Sequence, residues 1–218
     1  MKWFLVIILM LPLFTTIFQD PGLTAEVQNL RLLPPDTEGG KPLMQALSER
    51  KSSREFSRGE LSPQVLSNLL WAANGVNRPD GRRTSPSAKN TQEIDIYVAK
   101  KEALYLYNPK EHALTVVIPE DIRSRIGRQV FVQDAPVGLV FVANTGKFRG
   151  GSEEDALFYS ATDTGYVSQN VYLFCASEGL STVVLGTIDR NQLAKTMRLQ
   201  PRQKIILTQP VGYPKNRS

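Results

Sequence analysis

The stretch EEDALFYSATDTGYVSQNVYLFCASEGLSTVVLG, residues 153–186, decides the fold. It predicts one long helix from about Glu153 to Ser177, ending at Glu178-Gly179. The apolar positions expected on one face of this helix are Phe158, Val167, Val171 and Phe174. The small residues that would let another helix approach closely are Ala161, Gly165 and Ala176. Thr182–Leu185 then predicts a buried strand.

Outward from this stretch, helices come first and then alternate with strands. Pro42 opens a helix with apolar positions Leu43, Ala46 and Leu47, and Ser62-Pro63 is typical of the start of a second. The remaining predicted elements are strands at 94–99, 103–107, 114–117, 137–143 and 204–208, and helices at 119–130 and 189–197. This order predicts an α+β fold with a central, mainly antiparallel sheet flanked by helices.

Composition indicates a globular protein with one domain. The chain has 218 residues, of which 41% are hydrophobic and 22% charged. Residues 42–218 are expected to form the domain, and residues 26–41 an irregular arm with Pro34-Pro35 and Gly39-Gly40.

Residues 1–25 are interpreted as a targeting segment. Lys2 precedes an almost wholly apolar run, Trp3 to Phe18, and a polar stretch then ends at Ala25. Export, to the periplasm, is the first expectation. The alternative is an uncleaved membrane anchor through residues 3–18.

Several kinds of site are disfavoured by composition. The net charge of +5 is spread along the chain, without the dense basic face of nucleic-acid-binding proteins. A zinc site is not expected with one histidine, His112, and one cysteine, Cys175. His112 sits at a predicted hairpin turn, which favours a structural role. Asp163 and Glu154 are expected to be solvated or capping charges rather than an acid–base pair. Redox chemistry supplied by a bound cofactor remains possible without such groups.

The most informative short motif is Arg50-Lys51-Ser52-Ser53-Arg54-Glu55-Phe56, which follows the first helix. It combines three cations and two hydroxyls in five residues, a set suited to binding phosphate oxygens. Alternatively, a basic helix end simply complements the helix dipole.

The order of further motifs resembles the FMN-dependent nitroreductase family from about Pro42 to Arg217. The similar pieces are the Arg-x-Ser-x-Arg-x-Phe run at 50–56, the Pro-Ser-x-x-Asn-x-Gln loop at 86–92, Asp134-Ala135-Pro136, Asp163-x-Gly165-x-x-x-Gln169-Asn170, Glu178-Gly179-Leu180, Leu185-Gly186 and Val211-Gly212-Tyr213-Pro214. Arg83-Thr84-Ser85-Pro86-Ser87 and Leu104–Pro109 are similar to the SagB-type dehydrogenase branch.

The resemblance implies a homodimer with FMN at two interface sites. In it, Arg50, Lys51 and Ser52 would serve the phosphate and ribityl chain, while Arg54 and Gln129 would lie near the pyrimidine edge. The backbone N–H groups of Leu185 and Gly186 would face N5. Pro86, Ser87 and Asn90 would come from the partner subunit, and Lys215 and Arg217 would close on the phosphate.

The function implied is ping-pong redox chemistry on a small organic substrate such as a quinone or nitroaromatic. Nicotinamide cofactors are scarce outside the cytoplasm, so a membrane or soluble electron carrier is the expected donor. Alternatives are a peptide azoline dehydrogenase of SagB type, a non-catalytic flavin-binding module, and a secreted structural protein without a cofactor.

Overall fold

The computed structural model describes residues 27–215. The helices and strands within them are, in chain order, β1 (Leu30–Arg31), α1 (Leu43–Glu49), α2 (Pro63–Asn74), β2 (Ile94–Ala99), β3 (Leu104–Asn108), β4 (Ala113–Ile118), β5 (Val137–Asn144), α3 (Glu153–Glu178), β6 (Ser181–Thr182), α4 (Arg190–Thr196) and β7 (Gln203–Gly212). All seven strands form one sheet in the order β1-β4-β3-β2-β5-β7-β6, and each neighbouring pair is antiparallel. The predicted α+β class is confirmed.

β5 lies between β2 and β7 near the middle of the sheet. All of its residues from Val137 to Ala143 are buried, which explains why this strand is a continuous apolar run rather than an alternating one. A strand with both faces covered requires a packed layer on each side of the sheet.

The two faces of the sheet carry separate hydrophobic clusters. On one face, α2 and α3 pack through Leu66, Leu69, Leu70, Ala73, Val167, Val171 and Cys175. On the other, α4 and the segment from 119 to 136 contribute Ile122, Ile126, Val132, Leu193 and Met197. Consecutive strand residues such as Ile96 and Tyr97 belong to opposite clusters, as the two-residue period of a strand requires.

Capping residues set the ends of the two longer helices. Ser62 accepts a hydrogen bond from the Val65 N–H at 3.2 Å, and Pro63 is the first residue of α2, as predicted. Ser152 and Asp155 form a reciprocal capping box at the start of α3. Gly179 ends α3 in the left-handed conformation with φ of 69°. This turn brings the chain back into β6 beside the end of α3.

Some predicted elements differ from the structure. Residues 119–130 do not form an amphipathic helix; the segment holds two short 3₁₀ turns, Arg123–Arg125 and Val130–Asp134. Here the Asp121 carboxylate accepts the Arg123 N–H at 3.0 Å, a local bond that competes with helix formation. The apolar spacing instead serves Ile122 and Ile126, which are both buried.

Three other predictions need correction. Phe158 is 67% exposed, so it does not share the buried face of Val167 and Val171. The strand expected at Thr182–Leu185 is limited to Ser181–Thr182, and Leu185 forms only an isolated bridge with Thr208. Residues 27–41, expected to be irregular, contribute the short edge strand β1, which pairs with β4.

The predicted targeting segment, including the apolar run at 3–18, lies outside the described residues. Within residues 27–215, no helix combines the length and apolar character needed to cross a membrane.

Candidate functional site

The basic motif after α1 is fixed against the chain that follows α3. Ser53 donates its backbone N–H to the Thr182 carbonyl at 2.9 Å, and its hydroxyl accepts from the Ser181 hydroxyl at 3.0 Å. Phe56 pairs with Pro214 in an isolated bridge. Residues 50–56 are thus anchored at both ends, and their side chains border a cleft next to the C-terminal half of α3.

This cleft has a volume of about 870 Å³, within the range of small-molecule sites. Its lining contains four cationic side chains and two serines of interest here: Lys41, Lys51, Ser52, Ser53, Arg54 and Lys215. Lys41 is paired with Glu49 at 2.6 Å. Within residues 27–215, Arg50, Lys51 and Arg54 form no ion pair. Two carboxylates, Glu49 and Glu55, also line the cleft, so its four cations leave a positive excess that suits an anionic ligand.

Arg50 borders this region but stacks on an aromatic ring. Its guanidinium carbon lies 5.3 Å from the centroid of the Tyr172 ring, in a cation–π arrangement. The Tyr172 hydroxyl forms a hydrogen bond with the Ser52 hydroxyl at 2.8 Å. Tyr172 was not among the residues predicted for the site, because a tyrosine on a long helix gives no signal that distinguishes a site from core packing.

The segment at Leu185-Gly186 agrees only partly with prediction. The Leu185 N–H donates to the Thr208 carbonyl at 2.8 Å, so this group is already engaged and does not face a ligand. Gly186 is exposed. Because Gly186 is exposed, its backbone N–H remains available to donate a hydrogen bond to a ligand.

Gln129 lies beside this segment. A Cβ placed on Gly127 would be 2.9 Å from the Leu185 side chain and 3.0 Å from Gln129 Oε1, so the three residues meet. Gln129 Oε1 is buried and has no hydrogen-bond partner within the described chain. A buried amide oxygen without a partner is costly, and a bound ligand with an N–H group would satisfy it.

The Pro-Ser-x-x-Asn loop lies at a different place in the same chain. Pro86 and Asn90 are exposed, and the loop is held by the Ala88 N–H, which donates to the Asp163 carboxylate at 2.8 Å. Asp163 and the cleft residue Cys175 are separated by twelve positions on α3, or about 18 Å along the helix axis. The structure therefore does not bring Pro86, Ser87 and Asn90 to the basic cleft of their own chain.

Asp163 is not the solvated or capping charge that the sequence suggested. It is 3% exposed and faces the fully buried Glu93, whose carboxylate oxygens have no hydrogen-bond partner within the described chain. Burial raises the pKa of Glu93 to about 7, and the nearby Asp163 adds to that increase. Glu93 and Asp163 therefore form a buried carboxyl pair beneath the loop.

Near the end of the described chain, Lys215 lines the cleft, its contact with a phosphate stays a prediction, and Arg217 lies outside the described residues. His112 is half-buried, and its two ring nitrogens are bonded to the hydroxyls of Ser67 at 2.7 Å and Tyr107 at 3.0 Å. Burial lowers the pKa of His112. This arrangement agrees with the structural role predicted for the histidine. No cluster of metal-binding side chains occurs among residues 27–215.

Comparison with known proteins agrees with this arrangement. A model of the nitroreductase family matches residues 47–213. A candidate nitroreductase of Methanocaldococcus jannaschii is 31% identical over 188 residues, which cover 82% of this chain and 93% of the relative.

Solved structures give the same result. A candidate nitroreductase from Ralstonia eutropha JMP134 is 43% identical with a TM-score of 0.84, over 88% of this chain and 91% of that one. A more distant candidate nitroreductase, from Desulfovibrio desulfuricans and solved in complex with FMN, is 20% identical with a TM-score of 0.59, over 81% and 88% of the two chains. The chain belongs to the nitroreductase family.

Proposed function

We propose that this protein is an FMN-dependent oxidoreductase that acts on a small organic substrate such as a quinone or nitroaromatic. The observation that carries the proposal is the cleft at residues 50–54, with unpaired cations next to serine hydroxyls. Phosphate is the group that such a set binds best. The FMN carried by a structural neighbour supports the same cofactor. Bound FMN would supply the redox chemistry, so the chain need not contain its own acid–base pair.

In the proposed site, described residues would contact FMN at both of its ends. Arg50, Lys51, Ser52 and Lys215 would bind the phosphate and ribityl chain. At the other end, Arg54 would lie near the pyrimidine edge, where positive charge favours the reduced, anionic flavin. The unpartnered Gln129 Oε1 is suited to accept a hydrogen bond from the pyrimidine N–H. The exposed Gly186 N–H would point towards N5.

The proposed working unit is a homodimer. The loop residues Pro86, Ser87 and Asn90 belong to the family's site according to the resemblance but do not line the cleft of their own chain. A second copy can deliver them. Large apolar side chains are also exposed on α1 and α3: Leu43, Met44, Leu47, Leu157, Phe158 and Tyr166. Such a surface is typical of an interface between protein chains.

A contact between the α3 helices of two chains would cover the exposed apolar side chains of this helix. A Cβ placed on Gly165 would meet no atom within 4 Å, so this side of the helix is open. Gly165 follows Leu157, Phe158 and Ala161 on the exposed side. Small residues between apolar ones allow two helices to approach closely.

The location and electron donor are proposed from the sequence. The apolar run at 3–18 supports export, and an exported flavoenzyme would draw electrons from a membrane or soluble carrier rather than from nicotinamide cofactors.

The experiment is to add FMN to the purified protein, desalt it, and record the visible spectrum. We expect a flavin spectrum that survives desalting, and reoxidation of the reduced protein by a quinone or nitroaromatic under anaerobic conditions. A colourless protein would refute FMN binding. A flavin that binds but is never reoxidised by either acceptor would refute the oxidoreductase and favour a binding module. Fast reduction by NADPH would contradict the proposed donor.

A further inference from the structure

Tyr172 touches three parts of the chain that the proposed flavin site brings together. It lies near the C-terminal end of α3 and is 8% exposed. Its hydroxyl bonds the Ser52 hydroxyl at 2.8 Å and accepts the Val184 N–H at 2.9 Å. The face of its ring supports the Arg50 guanidinium at 5.3 Å.

These contacts join segments that are distant in sequence. Ser52 and Arg50 belong to the motif after α1, whereas Val184 stands two residues before Gly186. One hydroxyl can serve both segments because it has two acceptor lone pairs and one proton. Ser53 already ties the same motif to residues 181–182, and Tyr172 adds the contact that reaches Val184, next to the segment that presents Gly186.

We propose that Tyr172 is a positioning residue that holds Ser52 and the 184–186 backbone in fixed relation to each other. This proposal rests on the proposed FMN site. It need not touch the flavin. It fixes the Ser52 hydroxyl in one orientation, and it holds the segment that presents Gly186. Its ring also restricts the Arg50 side chain, which otherwise has many rotamers to lose on binding an anion.

The first test uses the protein without flavin and compares Tyr172→Phe with Tyr159→Phe. Tyr159 is on the same helix, and its hydroxyl makes no hydrogen bond within the described residues, so the second variant is a matched control. The Val184 N–H loses its acceptor only in Tyr172→Phe. We expect faster amide hydrogen exchange at Val184 in that variant and unchanged exchange in Tyr159→Phe. Equal exchange in both would overturn the proposal.

The second test measures FMN affinity and the midpoint potential of bound flavin. Tyr172→Phe is expected to weaken FMN binding about tenfold, because the released Ser52 side chain and 184–186 backbone must then be ordered on binding, and to shift the potential. A double-mutant cycle with Ser52→Ala should be non-additive, whereas the cycle of Ser52→Ala with Tyr159→Phe should be additive. An additive cycle with Tyr172, or an unchanged potential, would overturn the proposal.

The two proposals fail in different ways. If the wild-type protein binds no FMN, the proposed function is refuted. The exchange test at Val184 then still shows whether the Tyr172 hydroxyl holds this backbone segment. If the wild type binds FMN and Tyr172→Phe matches it in affinity and potential, only the positioning role is refuted. Should Tyr172→Phe fail to fold, hydrogen exchange of the wild type without flavin still decides. We expect the Val184 amide to exchange slowly there, because the Tyr172 hydroxyl accepts it, and fast exchange would overturn the proposal.

Discussion

The double variant Arg50→Gln, Arg54→Gln is expected to bind FMN at least about 100-fold more weakly than the wild type. A hydrogen bond to a charged group contributes about 1.5–3 kcal/mol, so losing two such interactions accounts for a decrease of this size. Neither arginine is engaged in an ion pair within residues 27–215, so the main contact that the fold itself loses is the stacking of Arg50 on the Tyr172 ring. Titration of the apoprotein with FMN, followed by flavin fluorescence, gives the two dissociation constants.

The matched control for this variant is Arg125→Gln. Arg125 is exposed and pairs with Glu120 at 2.9 Å, in the segment that precedes the buried Val132. It removes one positive charge far from the 50–54 motif in sequence and should leave FMN affinity within about twofold, as expected of surface substitutions. Similar losses in both variants would mean that the net charge, and not the cleft, determines binding.

Glu93→Gln should make the protein more stable than the wild type at alkaline pH, by up to about 3 kcal/mol. Glu93 is fully buried, and its pKa of about 7 in the folded protein exceeds the ordinary value of 4.5. Each pKa unit between the folded and the unfolded protein corresponds to about 1.36 kcal/mol, so the difference between 4.5 and about 7 gives about 3 kcal/mol. The folded state therefore binds this proton more tightly than the unfolded chain does. The stabilisation is complete below pH 4.5 and is lost as the pH rises through 7.

The surroundings of Glu93 explain why its charged form is unfavourable. Burial removes it from water and Asp163 repels it from α3, while Arg83 donates to the Ile94 carbonyl at 3.4 Å and forms no ion pair within residues 27–215. Urea unfolding between pH 5 and 9 measures the effect, with the exposed Glu38→Gln as control. Parallel pH curves for wild type and Glu93→Gln would contradict a raised pKa.

The sequence predicted most of the fold because its strongest signals were local. The cap at Ser62-Pro63, the continuous apolar run of β5 and the left-handed Gly179 each specify a structure within a few residues. The helix predicted at residues 119–130 was wrong for the opposite reason. Ile122 and Ile126 have helical spacing, but they are anchors that pack on the sheet, and only the tertiary fold decides that.

The candidate site was predictable where side chains alone define it. Lys51, Ser52 and Arg54, singled out by their types, and Lys215, assigned through the resemblance, line one cleft, while their roles towards FMN stay predictions. The engaged N–H of Leu185 was not predictable, because it depends on Thr208 lying across from it in the sheet. Glu93 and Asp163 were also missed as a pair, since seventy positions separate them and each alone is typical of a surface charge.

The central claim, that each flavin lies between the cleft of one chain and the loop of another, can be tested with mixed dimers. One chain carries Arg50→Gln with Arg54→Gln, and the other carries Ser87→Ala with Asn90→Ala. Two different affinity tags allow the mixed dimer to be purified after co-expression. Each homodimer of variant chains should bind FMN poorly, because both of its sites are damaged.

In the mixed dimer, one site combines an intact cleft with an intact loop and the other is damaged twice. The stoichiometry of FMN binding to the purified mixed dimer is the deciding measurement. We predict one FMN per mixed dimer, bound as tightly as in the wild-type dimer, for which we expect two. If cleft and loop of the same chain formed the site, both sites would be damaged, and a mixed dimer without tightly bound FMN would contradict the shared site.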